Sequence, residues 1–119
     1  MRDEVLGMLE RYVAEDDPRY LVVLAAFENG AYVASGRVFR SDIEEGVPEI
    51  GYLVHASCWG RGIGTHLAQA LVRIAHERLG APRVIARTHV DNVASARVLE
   101  KAGLRRGVMA GGFQLWSRG

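Results

Sequence analysis

Three glycines at alternate positions, Gly60, Gly62 and Gly64, separate a strand-like run from a helix-like one, and no other feature constrains the fold as tightly. Upstream, Pro48 to His55 reads as a strand. Downstream, Thr65 to Leu79 sets Leu67, Leu71, Ile74, Ala75 and Leu79 on one helical face and stops at Gly80 with Pro82 beyond, as a helix C-terminus does. Glycines remove the side chains that would hold a ligand off the backbone. The helix behind them aims unpaired N–H groups and a positive dipole end at the same place. The segment Trp59-Gly60-Arg61-Gly62-Ile63-Gly64-Thr65 therefore reads as a phosphate cradle. With the β-branched run Arg83 to Val90 it completes a strand, loop, helix, strand unit, which is right-handed and takes its ligand at the carboxyl ends of its strands.

The remaining elements arrange themselves around this unit. Arg2 to Ala14 spaces Val5, Leu6, Met8, Leu9, Tyr12 and Val13 in near-helical fashion and is expected to be a helix. Tyr20 to Phe27 and Ala31 to Arg40 form a hairpin through Glu28-Asn29-Gly30, followed by an acidic loop from Ser41 to Val47. Asp91-Asn92 caps a short helix, Val93 to Ala102, closed by Gly103. Phe113 to Ser117 reads as a last strand, while the glycine-rich stretch Gly107 to Gly112 receives no assignment.

Composition then excludes several classes. At 119 residues and 49% hydrophobic, the chain is expected to make one domain, residues 1–119. Its longest apolar run, Leu21 to Phe27, falls far short of the ~18 residues of a membrane span, and Met1-Arg2-Asp3-Glu4 does not begin a signal peptide. The expectation is a cytoplasmic protein with no membrane partner. Cys58 is the only cysteine, so no internal disulfide forms and a buried apolar role is expected. Net charge is +1 with the basic residues spread along the chain, which gives no case for nucleic acid. His55, His66, His76 and His89 lack paired metal spacing, so no metal is expected. For His55 and His66, capping or solvent-exposed roles are favoured over an auxiliary base.

Three glycine-loop families compete for the cradle. A Walker A loop needs Gly-Lys-Ser/Thr, whereas Gly64 is followed by Thr65-His66. A dinucleotide-binding turn needs G-x-G-x-x-G directly after its strand, but Leu67 takes the third glycine position and Ala56-Ser57-Cys58 intervene. Gly62-Ile63-Gly64 behind Glu-Ile-Gly-Tyr-Leu-Val (Glu49 to Val54) resembles the acetyl-CoA-binding core of the GNAT family of N-acetyltransferases, whose loop reads Q/R-x-x-G-x-G/A. Asn92-Val93-Ala94-Ser95-Ala96-Arg97-Val98-Leu99-Glu100-Lys101-Ala102-Gly103-Leu104 resembles that family's next helix, in the form seen in its ribosomal-protein N-terminal acetyltransferase branch. Together the two motifs cover Pro48 to Leu104.

The resemblance implies an α/β fold: a single-domain mixed β-sheet with flanking helices, here lacking the usual first strand and with a shortened tail. It implies acetyl-CoA as co-substrate, its pantetheine arm lying between two splayed parallel strands against Tyr52, Leu53 and Val54. The backbone of Gly60, Arg61, Gly62, Ile63, Gly64 and Thr65 would take the pyrophosphate, with Asn92 near the arm. Core packing also explains Tyr52, Leu53 and Val54, and a plain helix cap also explains Asn92. Glu49 matches the strand position that carries the general base in several members, where a carboxylate beside a partly apolar cleft is suited to take a proton; a solvated strand-end acid is the alternative. N–H groups near Leu53 would polarise the thioester carbonyl. Where many members carry a proton-donating tyrosine this chain has Leu99, and Ser95, one turn earlier, is the substitute suggested by the similar branch; a capping serine is the plainer reading. Trp59 replaces the Q/R of the loop, and Arg61 would partly replace the lost cation. Asp42, Glu44 and Glu45 would attract a cationic amine, or simply be a solvated loop.

The expected activity is direct acetyl transfer to a primary amine, either a protein N-terminus or a small amine, without metal or covalent enzyme intermediate. A non-catalytic acyl-CoA-binding or regulatory module is the rival, and nucleotide binding without CoA a third reading. The open sheet edge expected from a missing first strand would suit a homodimer.

Overall fold

The computed structural model describes residues 6–11 and 18–119. Seven strands form one mixed sheet: β1 (Leu6–Arg11), β2 (Tyr20–Glu28), β3 (Ala31–Arg40), β4 (Pro48–Val54), β5 (Val84–His89), β6 (Arg105–Ala110) and β7 (Phe113–Arg118), in the spatial order β1-β2-β3-β4-β5-β7-β6. Among the described residues two α-helices, α1 (Ile63–Glu77) and α2 (Val93–Lys101), join the sheet in a mixed α/β fold. The single-domain sheet with flanking helices is as the sequence led us to expect.

Two expectations are corrected. Leu6 to Arg11 is a strand and not part of a helix, pairing antiparallel with β2 from Leu6↔Glu28 to Arg11↔Val23. A short apolar run does not by itself separate the two periods, and the long edge of β2 supplies the tertiary partner that decides. The rest of that predicted helix lies outside the described residues. The sheet therefore does have a strand before the hairpin, and in the tail β6 and β7 pair as a hairpin through Gly111 (φ +57°) and Gly112 (φ +83°). The glycine-rich stretch Gly107 to Gly112 thus forms part of the exposed edge strand and the turn of that hairpin.

The β2–β3 turn is the predicted one. Asn29 (φ +51°) and Gly30 (φ +81°) occupy a two-residue loop whose two positive φ values match the twist of the flanking strands. Helix α1 packs Ile63, Leu67, Ala68, Ala70, Leu71, Val72, Ile74 and Ala75 against the sheet, beginning two residues before the predicted start. Gly36 of β3 admits this helix closely, since a Cβ there would stand 2.8 Å from Leu71 Cδ1. From Ala34 onwards, even-numbered residues of β3, like those of β4, thus face α1, and odd-numbered ones face the other side of the sheet. Cys58 is buried in this core, as expected of it. At the far end, the Ala81 N–H returns to Ala75 O at 3.0 Å, and His76 Nδ1 bonds Ala81 O at 2.8 Å, which closes α1. No helix among the described residues is long and apolar enough to cross a membrane.

Candidate active site

The middle of the sheet is where its continuity fails. β4 pairs with β3 along seven residues and β5 with β7 along six, yet β4 and β5 share one parallel pair, Glu49↔Ile85. Beyond it the strands diverge, leaving Gly51 to Val54 without a ladder partner on the β5 side among the described residues. A cleft of about 440 Å³ fills the gap, walled by Tyr52 and Gly51 on β4, Arg87 on β5, and Asn92, Ser95 and Leu99 on α2. Free strand edges bind extended chains through main-chain hydrogen bonds.

The glycine segment adjoins the end of β4, where a Gly64 Cβ would stand 3.6 Å from Val54 Cγ2. Gly60 (φ +78°) and Gly62 (φ +80°) adopt left-handed backbone, and a Cβ on either would meet nothing within 4 Å. Backbone shape and not crowding therefore requires glycine at both, and the space above them is open to a ligand. Gly62 is the N-cap of α1 and supplies no side-chain cap. The first N–H taken within the helix is that of His66, bonded to Gly62 O at 3.0 Å, so the amides of Ile63, Gly64 and Thr65 keep the dipole-aligned donors that an anion seeks. Ile63 is sunk in the core, and Gly64 fits between Val54 and Val98, whose Cγ2 atoms would each lie 3.6 Å from a Cβ.

The side chains around this cradle are committed elsewhere. Trp59 is 70% exposed and folds back so that its indole N–H donates to Val54 O at 2.9 Å. Arg61 pairs with Glu28 at the end of β2. Its hydrogen bond holds the Glu28 carboxyl below the ordinary value, and Glu28 in turn raises Arg61. The guanidinium expected to face phosphate is thus engaged by a carboxylate, while the Arg61 backbone stays in the cradle. His55 Nδ1 accepts the Ser57 N–H at 3.2 Å, a capping role for the turn Ala56–Cys58.

Glu49 is only 2% exposed and is not an isolated acid. Arg87 binds it bidentately, Nε to Oε2 at 2.7 Å and Nη2 to Oε1 at 2.8 Å, and Ser41 Oγ donates to Oε1 at 2.8 Å. Arg87 also reaches Asp42 Oδ1 at 2.5 Å. The hydrogen bond to Glu49, foremost, raises Arg87 above its ordinary value, and the one from Arg87 lowers Asp42. Glu44 pairs with Arg83 at 3.0 Å. Two acids of the loop are thereby stapled to β5 and the residue just before it, an arrangement that reading the loop by itself did not reveal. The signal was there in the two arginines Arg83 and Arg87, four residues apart, one just before this strand and one within it.

On the other side of the gap, Asn92 Oδ1 accepts the Ser95 N–H at 3.0 Å and caps α2. Ser95 lines the cleft, and its carbonyl receives the Tyr52 hydroxyl at 3.4 Å. Burial raises the Tyr52 hydroxyl above its ordinary value. Leu99 is buried beneath them. Leu53, 70% exposed, lies on the sheet face opposite α1. Glu49, Tyr52, Asn92 and Ser95 thus share one cleft, and Gly64 of the cradle adjoins Tyr52 at its wall. Among the described residues, no group of three His, Cys, Asp or Glu side chains is placed to hold a metal.

This combination is a mixed sheet split between two parallel strands beside a glycine-opened helix N-terminus. Residues 2–105 match the acetyltransferase (GNAT) domain, and the chain belongs to that family. It is 30% identical over 69 residues to the uncharacterised N-acetyltransferase YnaD of Bacillus subtilis, across 58% of this chain and 41% of that protein. Among solved structures it is similar to the GNAT domain of S. lividans PAT, with TM-score 0.71 and 25% identity over 82% of this chain and 59% of that one. It also resembles yncA of Salmonella typhimurium, solved with its cofactor acetyl-CoA, with TM-score 0.72 and 22% identity over 83% and 64% of the two chains. The aminoglycoside acetyltransferase AAC(6')-Ib, in complex with coenzyme A and kanamycin, superposes with TM-score 0.67 at 24% identity over 82% and 66%. The chain thus spans about two-fifths of that curated relative and about three-fifths of the first two structures.

Proposed function

We propose that the protein transfers the acetyl group of acetyl-CoA directly to a primary amine. One observation carries this reading: the β4–β5 gap leads from a free strand edge to an uncapped helix N-terminus behind Gly60 and Gly62. A thioester with a long amide-bearing arm and a diphosphate suits both ends of that path. The amides of Gly60 to Thr65 hold the diphosphate, and the β4 edge at Tyr52, Leu53 and Val54 holds the arm. N–H groups near Leu53 face the thioester carbonyl and stabilise the charge that develops on it.

Glu49 acts here as a positioning anion. Both its oxygens already accept strong bonds from Arg87 and Ser41, so it fixes Arg87 and the start of the gap instead of taking the amine proton. An α-amine, with a pKa of about 8, supplies enough neutral nucleophile near pH 8 without a strong base. The likeness of Asn92 to Leu104 to the ribosomal-protein branch makes a peptide N-terminus the first acceptor to try, with small amines second.

Thiol release measured across a panel of N-terminal peptides and small amines tests the proposal. Amine-dependent release is expected, and Glu49→Gln should stay within roughly tenfold of wild type. A loss of 100-fold or more would return Glu49 to the general-base role. Tight acetyl-CoA binding with no turnover on any acceptor would support the rival, a binding or regulatory module.

A further inference from the structure

Resting on the acetyl-transfer reading above, we infer that the Tyr52 hydroxyl protonates the sulfur that departs when the acetyl group leaves. Leu99 cannot donate a proton, and three hydroxyl side chains line the cleft: Tyr52, Thr88 and Ser95. The structure separates them. Thr88 Oγ1 receives the Trp116 indole N–H at 3.0 Å and is fixed in the sheet wall. Ser95 is an aliphatic alcohol, a far weaker acid than the leaving thiol of pKa about 8.5, and proton transfer from it is correspondingly uphill. A phenol, of pKa about 10, is matched to that thiol within a few units.

Placement supports the same choice. Tyr52 lies on the helix-facing side of β4, between the first turns of both helices: its Cε2 is 3.9 Å from where a Gly64 Cβ would stand in α1, and its hydroxyl meets Ser95 O in α2. Both helices turn their positive ends towards this spot, which favours a nascent thiolate there. The contact to Ser95 O, at 3.4 Å, is long. It is readily exchanged for the shorter charge-assisted bond that an anionic acceptor offers. Burial of the ring keeps the phenol protonated through neutral pH.

The step balances. As the amine nitrogen bonds to the carbonyl carbon, the C–S bond breaks with its electron pair on sulfur. The Tyr52 proton passes to sulfur, and the phenolate regains a proton from the solvent that accepts one from the amine.

The test compares coenzyme A with desulfo-coenzyme A, binding to wild type and Tyr52→Phe by calorimetry at about pH 9, where the thiol is largely ionised. Wild type should bind coenzyme A several-fold more tightly than the desulfo compound, and Tyr52→Phe should erase that preference while binding the desulfo compound as wild type does. The same preference in both proteins, or none in wild type, overturns the inference. In turnover, Tyr52→Phe should lower kcat for thiol release by roughly 10- to 100-fold at unchanged KM for acetyl-CoA. A larger loss in Ser95→Ala than in Tyr52→Phe overturns it as well. Wild type that binds neither coenzyme refutes the acetyl-transfer reading itself, whereas turnover indifferent to Tyr52→Phe refutes only the role of Tyr52.

Discussion

Removing the guanidinium from Arg87 while keeping an unbranched stem, as in Arg87→Met, leaves the Glu49 carboxylate 2% exposed with Ser41 as its remaining side-chain donor. Breaking a buried ion pair from one side costs about 3–5 kcal/mol, because the surviving charge is uncompensated. The Arg87 side chain is 30% exposed, so solvent screening sets the loss at the lower end, about 3 kcal/mol. The leg to Asp42 adds little, since that carboxylate is 84% exposed. A loss of this size is a large share of the ~5–15 kcal/mol that holds a domain together. Urea unfolding should show it as a lower midpoint at constant m. In a cycle with Glu49→Gln, the double variant should lose less than the sum of the singles by about 1–3 kcal/mol. An Arg87→Met loss below about 1 kcal/mol, or additive singles, would refute the claim that this pair is buried and coupled.

Three shorter predictions follow from other positions. Gly62→Ala, forced to a φ of +80°, should cost about 1–2 kcal/mol of stability and weaken coenzyme A binding more than tenfold; calorimetry showing unchanged affinity would contradict the cradle. Glu28 and Asp42 have lowered folded values, so their pairs stabilise the fold above the ordinary carboxylate range and that contribution is lost as pH falls through it. Thermal melts below about pH 4.5 should therefore steepen in wild type and flatten in a Glu28→Gln, Asp42→Asn double variant, and equal slopes would count against both pairs. Trp116→Phe loses the bond to Thr88 and leaves space in the core; urea titration should show about 2 kcal/mol, and a loss under about 0.5 kcal/mol would be inconsistent with that packing.

The central unit was legible because its signals are local. Asn29-Gly30 dictates a turn type, the α1 stripe has helical period, and Gly60 and Gly62 are the residue type that a left-handed backbone favours. What sequence could not supply is contact between distant segments. Whether Leu6 to Arg11 coils or extends depends on the free edge of β2, and the glycine-rich tail becomes a strand only because β7 lies beside it. At the site, resemblance alone singled out Glu49, Asn92 and Ser95. That Glu49 is saturated by Arg87, 38 residues on, and that the Tyr52 hydroxyl reaches α2, are facts of tertiary packing.

The single backbone pair between Glu49 and Ile85 makes the sheet two leaves, four strands and three, which share one apolar core and are tied at the fork by charge: Arg87 to Glu49 and Asp42, and Arg83 to Glu44. The outer two of these links are solvent-facing, so added salt weakens them. Amide exchange near the fork should then quicken with ionic strength in the free protein. An extended guest bonded to one leaf and gripped by the helix ends would replace electrolyte-sensitive fastening with main-chain stitching, and that salt dependence should disappear on loading.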